Sequence, residues 1–106
     1  MLGAIVLTAF FVIDGDTITS PSHRIRLWGV DAPEMSTQDG LDARVFLHEY
    51  TQDTMLTCYE MGRDNYGRTV ARCEDKFGVD LACALIQHGH AEEWHYFSHG
   101  YYQRNC

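Results

Sequence analysis

The chain has 106 residues, a formal net charge of −7 and 45% apolar side chains, enough for one modest core and too few residues for two domains. Its 22% charged content is ordinary for a globular protein. The acidic balance, with a sequence pI near 5.1, disfavours a protein that grips a long polyanion along a basic face. It leaves room for a small site in which a metal ion and a few arginines supply positive charge locally. A single domain over 1–106 is expected.

Residues 2–13 are apolar but too short to cross a bilayer. They carry no basic leader, so they read as a strand and not as a signal-peptide core. An export signal, if there is one, lies outside this chain. The β-branched and aromatic run at 5–13 favours an extended conformation. Asp14-Gly15 bends it, with the Asp14 side chain expected to bond nearby backbone, and Thr17-Ile18-Thr19 continues extended. Ser20-Pro21-Ser22 is a turn signal that leads into a strand over 23–30.

On that strand Arg24, Arg26 and Trp28 share one face, and Ile25, Leu27 and Gly29 the other. Pro33 cannot donate to a ladder, so the strand must end before it. Asp31 and Glu34 then fall at a strand end and in a loop. Strict alternation puts Arg26 and Asp31 out of phase, and a bulge at Gly29 would bring them to one side.

A helix is expected over 41–52, with Ala43, Phe46, Leu47 and Tyr50 as its buried stripe. The runs 55–60 and 68–73 flank Arg63-Asp64-Asn65-Tyr66-Gly67 and read as a hairpin. Cys58 and Cys73 lie symmetrically about its turn, opposite one another and close enough for a bridge. A second helix is expected from an Asp80 N-cap to Gly89, with Ala82, Leu85 and Ile86 inward. Cys83 and Cys106 remain as a second pair, and four cysteines in so short a chain point to an oxidising, secreted or periplasmic setting. The tail 90–106 is aromatic and polar, with little structure assigned. Trp28 and Phe46 read as core, and His88, His90, His95 and His99 as surface histidines without a defined ligand set. Trp94, Tyr96 and Phe97 are expected to pack against the last helix, the other reading being a base-stacking wall.

The order strand, strand, strand, helix, strand, strand, helix matches a mainly β OB-fold, a five-stranded Greek-key barrel with two to three helices. Three motifs then carry a family resemblance. Val12-Ile13-Asp14-Gly15-Asp16-Thr17-Ile18, Arg24-Ile25-Arg26-Leu27-Trp28-Gly29-Val30-Asp31-Ala32-Pro33-Glu34 and Asp64-Asn65-Tyr66-Gly67-Arg68-Thr69-Val70-Ala71-Arg72 occur in that order. Together they resemble the staphylococcal nuclease family, over about residues 11–91.

The resemblance implies a Ca²⁺-dependent phosphodiesterase that acts on DNA and RNA and leaves a 3′-phosphate. It makes Asp16, Asp31 and the backbone carbonyl of Ala32 metal ligands, and Arg26, Glu34 and Arg68 the catalytic set. Glu34 would orient or deprotonate the attacking water, while Arg26 and Arg68 hold the scissile phosphate. Tyr66 and Asn65 would contact substrate. The residue types suit this chemistry: Ca²⁺ takes oxygen ligands and keeps water in its shell. Guanidinium groups bind phosphoryl oxygens in a two-pronged way, and the chain has seven arginines against one lysine. Ala32 stands where the best-known member has threonine, and Asn65 where it has a phosphate-contacting lysine. The chain also ends where the family's last helix would begin or continue, and a Cys83–Cys106 bridge would replace part of its role. A monomer with no obligate protein partner and no membrane span is expected. The competing class is a nucleic-acid-binding module on the same scaffold without turnover, and a disulfide-stapled domain without a ligand ranks last.

Overall fold

The computed structural model describes residues 3–106, so Leu2, at the head of the apolar run, lies outside the described residues. The expected first strand is broken into β1 (Ala4–Leu7) and β2 (Phe11–Asp14). β3 (Thr17–Thr19) and β4 (Arg24–Leu27) follow, then β6 (Leu56–Arg63) and β7 (Thr69–Glu74), after the short β5 (Val30–Asp31) described below. The sheet order is β1-β6-β7-β4-β3-β2. Its two edge strands are therefore consecutive in the chain, three residues apart. The sheet can satisfy this only by curling until one bent segment serves both edges, which makes the five-stranded OB barrel expected from sequence. Ladder pairing on both sides of that segment is why residues 8–10 leave the strand conformation.

The core fills the curl with inward side chains from every strand, among them Leu7, Val12, Ile18, Ile25, Leu27 and Leu56. α1 (Gln38–Tyr50) packs on β2 through Ala43 and Leu47, with Phe46 and Tyr50 half-buried at the margin. It begins three residues earlier than its apolar stripe suggests. The Thr37 hydroxyl accepts the Gly40 N–H at 3.0 Å, an N-cap that starts the helix before the first apolar residue. α2 (Leu81–Gln87) is capped as expected: Asp80 Oδ1 accepts the amides of Ala82 and Cys83. It is buried on more than the expected face, since Leu81, Cys83 and Ala84 are also covered.

Cys58 faces Cys73 in the β6–β7 ladder and is bridged to it, Cα atoms 4.0 Å apart. The register slips between Glu60 and Gly62, on the turn side of the bridge, so symmetry still holds at the cysteines. Cys83 is bridged to Cys106.

Three expectations are corrected. The strand over 23–30 ends at Leu27, because Gly29 adopts left-handed backbone (φ 73°) and turns the chain out of the sheet. Residues 30–31 form β5, paired in a separate ribbon with β8 (Glu92–Glu93). The tail, assigned little structure, supplies β8 and two one-turn helices, α3 (His95–Ser98) and α4 (Tyr101–Asn105). Trp28 and Phe46 are rim residues, not core. Trp28 packs on Tyr101 and Tyr102 at 5.5 and 5.8 Å between centroids, and Phe46 on Tyr50, His88 and His90.

Candidate active site

Sheet register brings the cationic residues together. β4 runs parallel to β7 with Arg26 beside Val70, and antiparallel to β3 with Arg26 beside Thr17. Arg68 precedes Val70 by two residues, one full strand period, so it falls on the same side as Arg26. Both arginines line one cavity of about 360 Å³, together with Arg63, Tyr66, Trp94 and Phe97.

Arg26 is fixed by the turn it precedes. Its Nη1 donates to the carbonyls of Leu27 (2.6 Å) and Val30 (2.8 Å), which lie on either side of Gly29. Its Nη2 lies 3.5 Å from Asp16 Oδ2 and 3.8 Å from Asp31 Oδ1. The Gly29 turn, not a bulge, therefore brings Arg26 and Asp31 to one side. Asp16 is buried, 9% exposed, and Asp31 is open to solvent. The Ala32 N–H donates to Asp16 Oδ2 at 2.9 Å, which ties the residue after Asp31 to Asp16. Asp14 has the expected supporting role, accepting the Asp16 N–H at 3.0 Å. Burial, only partly offset by Arg26 and the Ala32 amide, pushes the Asp16 carboxyl up to about 6.

Arg68 is held from the hairpin turn. Its Nε donates to Asp64 Oδ2 at 2.6 Å, and Asp64 Oδ1 accepts the backbone amides of Tyr66 and Arg68, both at 2.9 Å. Against the cost of desolvation, these bonds hold the Asp64 carboxyl below its usual range. Arg68 Nη1 also approaches the Thr17 hydroxyl at 3.4 Å, which in turn donates to Asp16 Oδ1 at 3.3 Å. Tyr66 is 84% exposed with Arg68 over its ring at 5.5 Å, and Asn65 stands exposed at the cavity rim.

Glu34 is the one expected catalytic residue that the cavity lining does not include. Its carbonyl accepts the Thr37 amide and hydroxyl, and Gly40 sits against it so closely that no Cβ fits. The loop is thus rigid in its backbone while the Glu34 side chain stays exposed. Asp31, Asp39, Asp42 and Glu92 line a second, acidic cleft of about 460 Å³.

Three contacts were missed from sequence. Thr17 links the two halves of the site, and only its place beside Asp16 hinted at this. Asp64 holds Arg68, as its i,i+4 spacing and turn position allow. Trp94 is 43% exposed and carries the Arg26 guanidinium 5.5 Å above its ring. Trp94, Tyr96 and Phe97 form an exposed edge-to-face cluster, so the packing expected for them against the last helix is not what the fold makes. The histidines form no metal cluster: no group of three or more His, Cys, Asp or Glu suited to a metal occurs among the described residues.

Residues 24–105 match the family of staphylococcal nuclease homologues. The chain belongs to that family. It is 34% identical over 84 residues to a "Probable staphylococcal-like nuclease CAN1" of Oryza sativa subsp. japonica, covering 77% of this chain and 24% of that protein. It is 37% identical over 91 residues to a "Succinoglycan biosynthesis protein ExoI" of Rhizobium meliloti (strain 1021), covering 76% of this chain and 48% of that one. The chain thus spans between a quarter and a half of these relatives' length. The family match begins at Arg24 and leaves out Asp16, whose place in the site rests on its contacts with Arg26 and Ala32.

Proposed function

We propose that this staphylococcal-nuclease domain hydrolyses phosphodiester bonds of DNA and RNA in a Ca²⁺-dependent reaction that leaves 3′-phosphate ends. The observation that carries the reading is the convergence of Asp16 and Asp31 on Arg26, with Arg68 in the same cavity.

The donor set fits a hard cation. Asp16 is a buried carboxylate whose one close cationic neighbour does not offset its burial, so a divalent ion would relieve it. Asp16, Asp31 and the Ala32 carbonyl would hold the ion, leaving room for water and a phosphoryl oxygen. Bound there, Ca²⁺ lowers the cost of charge building on the phosphoryl oxygens.

Arg26 and Arg68 bind the non-bridging oxygens from two directions. Each guanidinium is pre-oriented by fixed acceptors, so little ordering remains when phosphate arrives. Glu34 orients a water and takes its proton as the oxygen attacks phosphorus. The P–O5′ bond breaks, and the 5′ oxygen leaves with a proton from solvent. Tyr66 and Asn65 contact the flanking nucleotide at the rim. Two disulfides support a secreted or periplasmic setting, and no described helix is long and apolar enough to cross a membrane.

The second reading, a binding module without turnover, is favoured by one observation: Glu34 lies outside the cavity lining. Cleavage of a fluorescent single-stranded DNA oligonucleotide at mildly alkaline pH separates the two, run with Ca²⁺, with a chelator and with Arg68→Ala. Ca²⁺-dependent cleavage lost in the variant supports the enzyme. A folded protein that does not cleave, yet melts higher with Ca²⁺ and nucleotide, supports the module.

A further inference from the structure

The turn between Arg26 and Asp31 is held from outside the barrel. Gly29 has little room beneath it: a Cβ there would stand 3.1 Å from the Tyr102 ring and 3.1 Å from Ser98 Cβ. The Gly29 carbonyl accepts the Trp94 N–H at 2.8 Å. β8 pairs with β5, setting Val30 opposite Glu93 and Asp31 opposite Glu92. Trp94 then stacks on Arg26 itself. Every one of these contacts comes from residues 92–106.

That tail has little means of holding itself in place. α3 and α4 are one turn each, far below the length at which a helix is stable alone. One internal tie and two anchors to α2 and its cap hold it. Glu93 Oε2 accepts the Ser98 hydroxyl (2.5 Å) and the Tyr102 N–H (2.9 Å). The Tyr102 hydroxyl donates to Asp80 Oδ2 at 3.2 Å, with its ring 2% exposed. Cys106 is bonded to Cys83 on α2. The last fastening is covalent and reaches the surface at one end, since Cys106 is exposed and Cys83 buried, whereas Cys58 and Cys73 are both buried in the barrel.

We propose that residues 92–106 form a strap that positions the Arg26–Asp31 turn, and that Cys83–Cys106 is its redox latch, so that reduction of this one disulfide slackens the turn and lowers turnover while the barrel stays folded. Tyr102 and Trp94 are the positioning residues. A small dithiol is the reductant: its thiolate attacks a sulfur of the bridge, and its second thiol then displaces the mixed disulfide. Cys83 and Cys106 gain two electrons and two protons, and the reagent leaves as a cyclic disulfide. Exposure makes this bridge react first.

The structural part stands whether or not the chain is a nuclease; the turnover part rests on that reading. The test uses the full chain, titrated with dithiothreitol, with thiols mapped by alkylation and mass spectrometry and backbone amides followed by hydrogen exchange. Alkylation is expected at Cys83 and Cys106 before Cys58 and Cys73. Exchange at residues 29–31 and 92–94 should rise at least tenfold while β6 and β7 remain protected. In the oligonucleotide assay kcat should fall on the order of tenfold, as expected for a slight misplacement of a positioned group, with KM nearly unchanged, and reoxidation should restore it. Cys106→Ser should reproduce the reduced behaviour without reductant. Tyr102→Phe, which keeps the ring under Gly29, should retain kcat, and Tyr102→Ala should not. Reduction of Cys83–Cys106 that leaves exchange at 29–31 unchanged overturns the strap. So does exchange that rises throughout the barrel, which would make the bridge a general staple, or simultaneous reduction of both bridges. If the oxidised chain cleaves nothing, the nuclease reading fails and the exchange pattern still decides the strap.

Discussion

Asp64→Asn separates the positioning of Arg68 from the stability of the hairpin. The substituted amide would keep a side-chain oxygen for the Tyr66 and Arg68 backbone N–H groups, which Asp64 Oδ1 accepts at 2.9 Å each. It would turn an N–H₂ toward Arg68 Nε, a donor that now donates to Oδ2 at 2.6 Å. A charge-assisted hydrogen bond is worth about 1.5–3 kcal/mol. Both side chains are about a fifth exposed (23% and 19%), and solvent screening brings this down to about 1–2 kcal/mol. If that energy orients Arg68 toward phosphate, kcat/KM should fall by about 5- to 30-fold. Unfolding free energy should fall by no more than that same ~1–2 kcal/mol, because the turn keeps its two backbone bonds. The assay is Ca²⁺-dependent oligonucleotide cleavage beside urea denaturation, with Arg68→Ala and the double variant completing a cycle. Asp64 acts through Arg68, so the double variant should be no worse than Arg68→Ala alone. Additive losses, or an Asp64→Asn enzyme with wild-type kcat/KM, would refute the reasoning.

Four further outcomes are expected. The Asp16 carboxyl sits near 6 in the fold against an ordinary 3.8, so the metal-free protein should gain stability as pH falls through 6 toward 4 and lose it as pH rises, by at most about 3 kcal/mol. Asp16→Asn should therefore raise the melting temperature in chelator at pH 8 and abolish any rise caused by Ca²⁺, whose affinity for the wild type should weaken below pH 6. Gly40→Ala would drive a Cβ into the Glu34 carbonyl and to 2.9 Å from the Pro33 oxygen. Overpacking of this kind costs about 1–3 kcal/mol or more, which denaturant titration would read. Replacing Cys58 and Cys73 together by alanine should cost about 3 kcal/mol in the same titration, since the bridge closes a loop of sequence separation 15. Binding of single-stranded DNA, measured with Ca²⁺ and an inactive variant, should show a salt slope near −2, since each neutralised phosphate contributes about −0.7 and three arginines line the cavity.

The elements legible from sequence were those fixed by local chemistry. Asp80 bonds the first amides of α2, Gly89 follows its end with φ 75°, and Asp64 shapes the hairpin turn. The Cys58–Cys73 pair was legible because hairpin symmetry survives a bulge on its turn side. What escaped depends on distant partners. Arg26 and Asp31 meet because Gly29 turns the chain out of the sheet, and it does so against Tyr102, more than 70 residues away. The tail has no periodicity because its order comes from Glu93, Asp80 and a disulfide instead of an apolar face. Trp94 is expected from sequence to pack against the last helix, yet its neighbour is a guanidinium and it is 43% exposed.

A net charge of −7 is compatible with binding a polyanion because charge in this fold is sorted by the site. Arg26, Arg63 and Arg68 open onto one cavity, while Asp39, Asp42 and Glu92 open onto another, and Asp31, which lines the second, lies 3.8 Å from Arg26. A divalent ion at Asp16 and Asp31 would cancel the two carboxylates nearest Arg26. Phosphate would then meet a positive face on one side and a repulsive wall on the other, which limits the ways a strand can lie. Three arginines line the cavity, so binding there would involve few phosphates. Weak, local binding of this kind suits turnover better than storage, because binding energy is then confined to the phosphate that reacts.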